Sequence, residues 1–149
     1  MARSANWLWT ARGRAASAIL AAAPLALAAW IKWSSVRDVG PAATGAIRWV
    51  LGWAPSFLAS FALPYLVPLF GRRPFASSRW PAFAPECAAA AAVLAIGELS
   101  DALFPQVGST SVQTFDGLDL VAIVIGAGSA FGVAHRSPST SARPDAPPD

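Results

Sequence analysis

Four long apolar stretches alternate with short polar connections along the chain. The apolar stretches lie at about residues 15–33, 49–70, 86–104 and 118–134. Each is close to the roughly 20 predominantly apolar residues that a helix needs to cross the hydrocarbon core of a bilayer. The pattern therefore predicts an all-α fold, an integral membrane bundle of four transmembrane helices.

The second stretch contains three prolines, Pro55, Pro64 and Pro68. In water these prolines would argue against a helix, because proline lacks the backbone N–H and its ring clashes with the preceding turn. In a membrane bundle, neighbouring helices and local adjustments can satisfy the freed carbonyl groups. Residues 49–70 are therefore still predicted to form a single span.

The first stretch has two interpretations. Arg12 and Arg14 precede an alanine-rich run that contains an Ala-Leu-Ala sequence at 26–28, as in a signal peptide with its cleavage site. The apolar run continues past this sequence to Trp30 and Ile31, which favours an uncleaved membrane anchor. We expect the anchor, and the cleaved signal peptide stays open as the alternative.

The composition agrees with a membrane environment. The chain has 149 residues, of which 55% are hydrophobic and 13% charged, whereas soluble domains carry about 25% charged residues. Seven tryptophans suit membrane–water interfaces, where the ring is buried and the N–H stays hydrated. The arginines are scattered at segment ends and form no basic stripe, so the bilayer is the expected partner and nucleic acid is not.

The distribution of cations predicts the orientation. Four spans would place eight Lys and Arg residues on one side and three on the other, together all eleven in the chain. The larger group is Arg3, Arg12, Arg14, Arg72, Arg73, Arg79, Arg136 and Arg143, and the smaller group is Lys32, Arg37 and Arg48. Because cytoplasmic loops carry the excess of cations, both termini should be cytoplasmic. Residues 1–14 would form a cytoplasmic segment, 15–134 the membrane domain and 135–149 a disordered cytoplasmic tail.

Acidic residues gather at the predicted outer end. Glu98 lies inside the third stretch, where a charge costs about 2.5–3.5 kcal/mol on insertion scales and usually faces the bundle interior or an aqueous cavity. Asp101, three residues on, shares its helical face, and Asp119 begins the fourth stretch. Glu98, Asp101 and Asp119 are therefore the candidate ligand-binding residues. The structural alternatives are that the two aspartates are interfacial, that Asp119 or Asp116 caps the fourth helix, and that Glu98 hydrogen-bonds a neighbouring helix.

Three glycines of the fourth stretch, Gly126, Gly128 and Gly132, are predicted to serve helix packing. Small residues at a spacing of four let helix backbones approach closely in a membrane. The same faces could also assemble a homo-oligomer.

The sequence offers little for catalysis. Cys87 is the only cysteine and His135 the only histidine, and they lie on different segments, so no His/Cys metal site and no Ser–His hydrolase site is expected. We predict a protein that is not an enzyme and binds no cofactor or metal.

The second half of the chain, about residues 49–134, resembles the VanZ-like family of small bacterial membrane proteins. Glu98 matches the glutamate of the family's E-x-x-Q pattern, with Asp101 in the glutamine position. Asp119 and Gly126 match the first and last residues of its D-x-x-x-N-x-x-G pattern, and residues 56–61 resemble the family's His-Phe-containing stretch. The resemblance implies a protein of the bacterial inner membrane that is associated with resistance to glycopeptide antibiotics, teicoplanin in particular. It implies no settled biochemical mechanism.

Three hypotheses for function follow. The first is a non-enzymatic, VanZ-like envelope protein that binds a lipid-linked ligand or a membrane protein partner through the outer acids. The second is a small oligomeric transporter or proton-coupled carrier in which Glu98 titrates. The third, an intramembrane enzyme using two carboxylates, has the least support because no nucleophile or metal set accompanies them.

Overall fold

The structure is a computed structural model, and it describes residues 5–33, 45–71, 83–103 and 117–136. The α-helices of these residues are α1 (Ala11–Trp33), α2 (Gly45–Ala62), α3 (Ala84–Leu103) and α4 (Gly117–Arg136). Two 3₁₀ helices, Ala5–Trp9 and Leu63–Phe70, precede α1 and continue α2. The three connections between the helices and the predicted tail from residue 137 lie outside the described residues.

Helix α1 begins at Ala11, four residues before the predicted span, because Thr10 caps it. The Thr10 hydroxyl accepts a hydrogen bond from the Gly13 N–H at 3.0 Å and donates one to the Trp7 carbonyl at 2.7 Å. The first bond satisfies one of the free N–H groups of the helix N-terminus. A Cβ on Gly13 would overlap the Trp7 carbonyl oxygen and lie 2.8 Å from the Leu8 Cα, so glycine lets the preceding 3₁₀ helix fold back against α1.

The second apolar segment changes helix type at Pro64 and Pro68, whereas Pro55 lies within its α-helical part. It is α-helical up to Ala62 and 3₁₀-helical from Leu63 to Phe70, with Pro64 and Pro68 inside the 3₁₀ helix. Each proline lacks the N–H of a helical hydrogen bond, and its ring clashes with the carbonyl four residues before it, so the α-helical pattern is interrupted where these two prolines lie. The helix ends at Gly71, whose left-handed φ of 68° suits glycine and lets its N–H donate to the Pro68 carbonyl at 3.1 Å.

Helix α2 lies at the centre of the packing. It packs most extensively on α4 and also on α1, and α3 packs mainly on α4. Successive helices run in opposite directions, because the starts of α1 and α3 pack near the end of α4, and the two ends of the bundle carry different charged residues. We call the arginine end the one with Arg12, Arg14 and Arg136, and the acidic end the one with Glu98, Asp101 and Asp119.

The core lies towards the arginine end. It joins the first 3₁₀ helix and α1 to the second 3₁₀ helix, the start of α3 and the end of α4, through Leu8, Ala21, Tyr65, Phe83, Cys87, Ala127, Ala130 and Ala134. The rings of Tyr65 and Phe83 lie 5.1 Å apart, and that of Trp9 meets Phe83 edge-on at 6.4 Å. Phe83 holds a positive φ of 74°, which is costly for a bulky residue, so the close aromatic packing supports this turn into α3.

The helices have the character of a membrane protein. By length and composition, Ala11–Trp33, Trp49–Phe70 and Gly117–Arg136 could each cross a membrane. Large apolar side chains such as Ile19, Val93 and Val124 are exposed, and an apolar surface of this extent marks a membrane or protein contact. The predicted all-α fold is confirmed, and three of its four α-helices have the composition of spans. Helix α3 differs because it carries three acidic residues, Glu86, Glu98 and Asp101.

Candidate functional site at the acidic end

The three predicted site residues occupy adjoining helix ends. Glu98 and Asp101 lie in the last two turns of α3, and Asp119 lies in the first turn of α4. Glu98 is five residues before the end of α3, or about 8 Å at 1.5 Å per residue. Because α3 packs against α4 and runs towards the end from which α4 starts, the fold brings these positions to one end of the bundle.

Two of the three acids, Glu98 and Asp119, have described side chains. Glu98 and Asp119 are both half-buried, and each is a charged residue in a largely apolar helix. For Asp101 the description covers the backbone and not the side chain, and Asp116 lies outside the described residues. Glu98 and Asp119 are therefore the two carboxylates whose burial can be compared, and neither is turned fully outwards.

Asp119 is held by a residue of the neighbouring helix α2. Its Oδ1 accepts a hydrogen bond from the Ser56 hydroxyl at 3.0 Å. Asp119 is also the third residue of α4, where the helix dipole favours a negative charge. The carboxylate therefore has one oxygen engaged by α2 and lies at the N-terminus of α4.

Two further hydroxyls of α2 and its continuation bond α4 in the same way. Ser60 donates to the Ile123 carbonyl at 2.5 Å, and Tyr65 donates to the Ala130 carbonyl at 2.8 Å. Along the sequence, later hydroxyls of α2 and its continuation bond later residues of α4, so α2 and α4 run side by side in the same direction. We call Ser56, Ser60 and Tyr65 the hydroxyl row.

The hydroxyl row was not part of the sequence prediction. Its signal was present, because hydroxyls at 56, 60 and 65 recur close to the four-residue spacing of one helical face in an otherwise apolar segment. Hydrogen bonds of this kind stabilise the association of helices in a membrane, because hydrophobic burial gives little driving force there. They fix α2 against α4 and so fix the position of Asp119.

The three glycines of α4 have different surroundings. A Cβ on Gly126 would lie 2.5 Å from the Phe57 carbonyl oxygen and 3.2 Å from the Phe61 nitrogen, so the backbones of α2 and α4 are in contact there. At Gly128 and Gly132 a Cβ would have nothing within 4 Å among the described residues. Gly126 thus lies in the α2–α4 interface, whereas the other two face away from the described helices.

Aromatic side chains of α1 and α2 lie towards the acidic end. On α2, Trp49, Trp53 and Phe57 form a column, with successive ring centroids 5.6 and 6.1 Å apart and edge-to-face geometry. Trp30 and Trp33 are exposed at the end of α1. Because Ser56 aligns with Asp119, the first turns of α2 extend beyond the start of α4. A band of tryptophans at this level is typical of a membrane–water interface.

The chemistry available at this end is that of carboxylates. Carboxylates that lie close together can accept hydrogen bonds from a ligand or attract its cationic group. The described residues contain no group of three His, Cys, Asp or Glu side chains placed to hold a metal ion. Cys87 is buried in the core at the other end, and the His135 ring pairs with the Phe131 carbonyl in its own helix at 3.0 Å.

Comparison with known proteins gives no further assignment. No family model, curated protein or solved structure matches the chain. The resemblance to the VanZ-like family therefore stays a prediction.

Proposed function

We propose that this chain is a bacterial inner-membrane protein of four spans, VanZ-like in type, which binds a ligand of the cell envelope at its acidic end without catalysing a reaction. The observation that carries the proposal is the pair of half-buried carboxylates, Glu98 and Asp119, at one end of a bundle with an apolar surface. Burying charge in such a setting is costly and usually accompanies function.

The fourth span would be α3. Its 20 residues extend about 30 Å, close to the thickness of the hydrocarbon core. Val93 and Ile96 are 65% and 63% exposed, whereas Glu86 is buried and Glu98 half-buried. A helix that exposes Val93 and Ile96 and partly or fully buries Glu86 and Glu98 is suited to lipid.

The charge distribution supports the orientation. Among the described residues, Arg12, Arg14 and Arg136 lie at one end of the bundle, and Lys32 and Arg48 lie at the acidic end. By the positive-inside rule, the end with more cations would face the cytoplasm, and the acidic end would lie outside. There the carboxylates would meet lipid-linked envelope precursors or the outer parts of membrane proteins.

The bound group should be cationic or a hydrogen-bond donor. Asp119 is oriented by Ser56, and oriented carboxylates bind such groups with charge-assisted hydrogen bonds. The Trp49–Trp53–Phe57 column provides an apolar surface at the same end. A lipid-linked ligand would present its headgroup to the acids and its chain to this surface.

The test is teicoplanin susceptibility of a deletion strain. The strain is complemented with wild type, Glu98→Gln or Asp119→Asn at matched membrane levels. Ser100→Ala is the control, because the exposed Ser100 hydroxyl bonds only the Ile96 carbonyl of its own helix in the described contacts. We expect deletion to sensitise the strain, wild type and Ser100→Ala to restore resistance, and the two acid variants to fail.

A result in which deletion leaves susceptibility unchanged would contradict the role in glycopeptide resistance. Full restoration by Glu98→Gln and Asp119→Asn would contradict the role of the acidic end.

One observation favours a second candidate, an oligomeric proton-coupled carrier that uses Glu98. Gly128 and Gly132 lie open on α4, at the spacing that brings membrane helices together. Four spans are few for a carrier, so this function requires the oligomer. A monomer at all concentrations in mild detergent would contradict it, and loss of pH-dependent flux in Glu98→Gln vesicles would support it.

A further inference from the structure

Three exposed guanidinium groups lie at the arginine end, on helices that are far apart in sequence. Arg12 and Arg14 are in the first turn of α1, and Arg136 ends α4. The two helix ends are joined through the first 3₁₀ helix, because the Trp7 indole N–H donates to the Ala134 carbonyl at 2.8 Å. The arginines therefore belong to one surface.

Arg14 also reaches the end of the second apolar segment. Its Nη1 lies 3.6 Å from the position that a Cβ on Gly71 would take. Beside Gly71, Leu69 and Phe70 are exposed, Phe70 to 80%. The surface thus combines cationic groups with an exposed aromatic ring and a leucine.

The charge of this surface is not balanced by a surface carboxylate within the described residues. Glu86 is the acid that the described helices bring to this end, and it is 5% exposed. Glu98, Asp101 and Asp119 are at the opposite end. In addition, the dipole of α1 opposes cations in its first turn, so Arg12 and Arg14 are placed where an external anion would stabilise them.

We propose that the arginine end binds the phosphate groups of anionic phospholipids in the leaflet that surrounds it. Guanidinium groups bind phosphate through paired hydrogen bonds, and Phe70 and Leu69 suit the adjoining acyl region. These exposed apolar side chains favour a lipid over a soluble acidic protein. The proposal rests on the membrane-spanning part of the proposed function and is independent of the acidic end.

The test measures lipid preference of the full chain in mild detergent. Phosphatidylglycerol and phosphatidylcholine with the same acyl chains are added separately, and binding is followed by native mass spectrometry. One basic residue near an anionic surface strengthens binding about fivefold. We therefore expect wild type to prefer phosphatidylglycerol and the combined Arg12→Gln, Arg14→Gln, Arg136→Gln variant to lose on the order of 100-fold of that preference.

Two controls distinguish binding at the arginine end from a non-specific effect of the protein's net charge. Lys32→Gln removes an exposed cation at the other end and should leave the preference unchanged. Replacing all three arginines with lysine keeps the charge but removes the paired hydrogen bonds, so this variant should lose part of the preference, and it serves as the test if the glutamine variant does not fold.

Equal binding of both lipids by wild type would overturn the proposal, as would equal losses in Lys32→Gln and the arginine variant. Preferential binding of polyglutamate over phosphatidylglycerol would assign the surface to an acidic protein instead. Labelling of the membrane topology is a separate measurement. A chain that spans the membrane four times but shows no lipid preference contradicts this proposal alone.

Discussion

Single residues hold the two central helices together. In a bilayer, apolar side chains gain little by leaving lipid for another helix, so close backbone packing and interhelical hydrogen bonds carry the association. Gly126 provides the close approach, and Ser60 beside it donates to the Ile123 carbonyl. The same contact aligns Ser56 with Asp119, so the packing of α2 on α4 determines the geometry of the candidate site.

Replacing Gly126 with alanine should weaken the α2–α4 interface. The new Cβ would lie 2.5 Å from the Phe57 carbonyl oxygen, which is backbone and cannot rotate away. Overpacking of this kind costs about 1–3 kcal/mol. We expect the free energy of unfolding to fall by that amount in a denaturation titration of the detergent-solubilised protein.

Gly128→Ala is the matched control on the same helix. Nothing among the described residues lies within 4 Å of its added Cβ, and alanine is favoured over glycine in a helix by about 0.5–1 kcal/mol. Its stability should stay equal or rise. Equal destabilisation by both substitutions would contradict the assignment of Gly126 to the interface.

The sequence predicted part of this residue-scale picture. Glu98 and Asp119 were identifiable because charges are rare in apolar segments, and Gly126 because small residues recur there. The partners of the hydroxyls were not, since a hydroxyl in an apolar helix can bond its own backbone, as Ser100 does, or the next helix, as Ser60 does. The rotation of each helix decides between these outcomes, and apolar periodicity is weak when nearly every position is apolar.

At the scale of elements, hydropathy located the segments but not the types and ends of the helices. Residues 49–70 form one apolar segment, yet its second part is 3₁₀ because of Pro64 and Pro68. Helix α1 starts before its apolar run because Thr10 supplies a cap. Caps and prolines act through backbone N–H groups, which a count of apolar residues does not include.

Thr10→Ala should loosen the start of α1. The substitution removes the acceptor for the Gly13 N–H and the donor to the Trp7 carbonyl, and loss of a cap costs about 0.5–2 kcal/mol. The same denaturation titration measures the change. Ser100→Ala is the control, because its exposed hydroxyl bonds only within α3 in the described contacts, and a change of less than about 0.5 kcal/mol is expected there.

A Thr10→Ala protein as stable as wild type would show that the N-terminal 3₁₀ helix is held without the cap. The Trp7–Ala134 hydrogen bond would then be its main attachment to α4.

At the scale of the whole molecule, the two ends of the bundle differ in charge. Whether they face opposite sides of the membrane depends on whether α3 crosses it. With α3 across the membrane, the arginine end faces one compartment and the acidic end the other. With α3 on the surface, α4 would cross in the opposite direction, and the start of α4 would no longer share a side with the end of α1. The placement of the candidate site on one side of the membrane therefore requires α3 to be a fourth span.

Cysteine accessibility tests this directly. In a Cys87→Ala background, Ser78→Cys reports the connection before α3, and Ser109→Cys reports the connection after it. Both are labelled in intact cells with a membrane-impermeant maleimide. Four spans with cytoplasmic termini predict that Cys at 109 reacts at once and Cys at 78 only after permeabilisation. Equal accessibility of the two positions would mean that α3 does not cross the membrane and would contradict the proposed site.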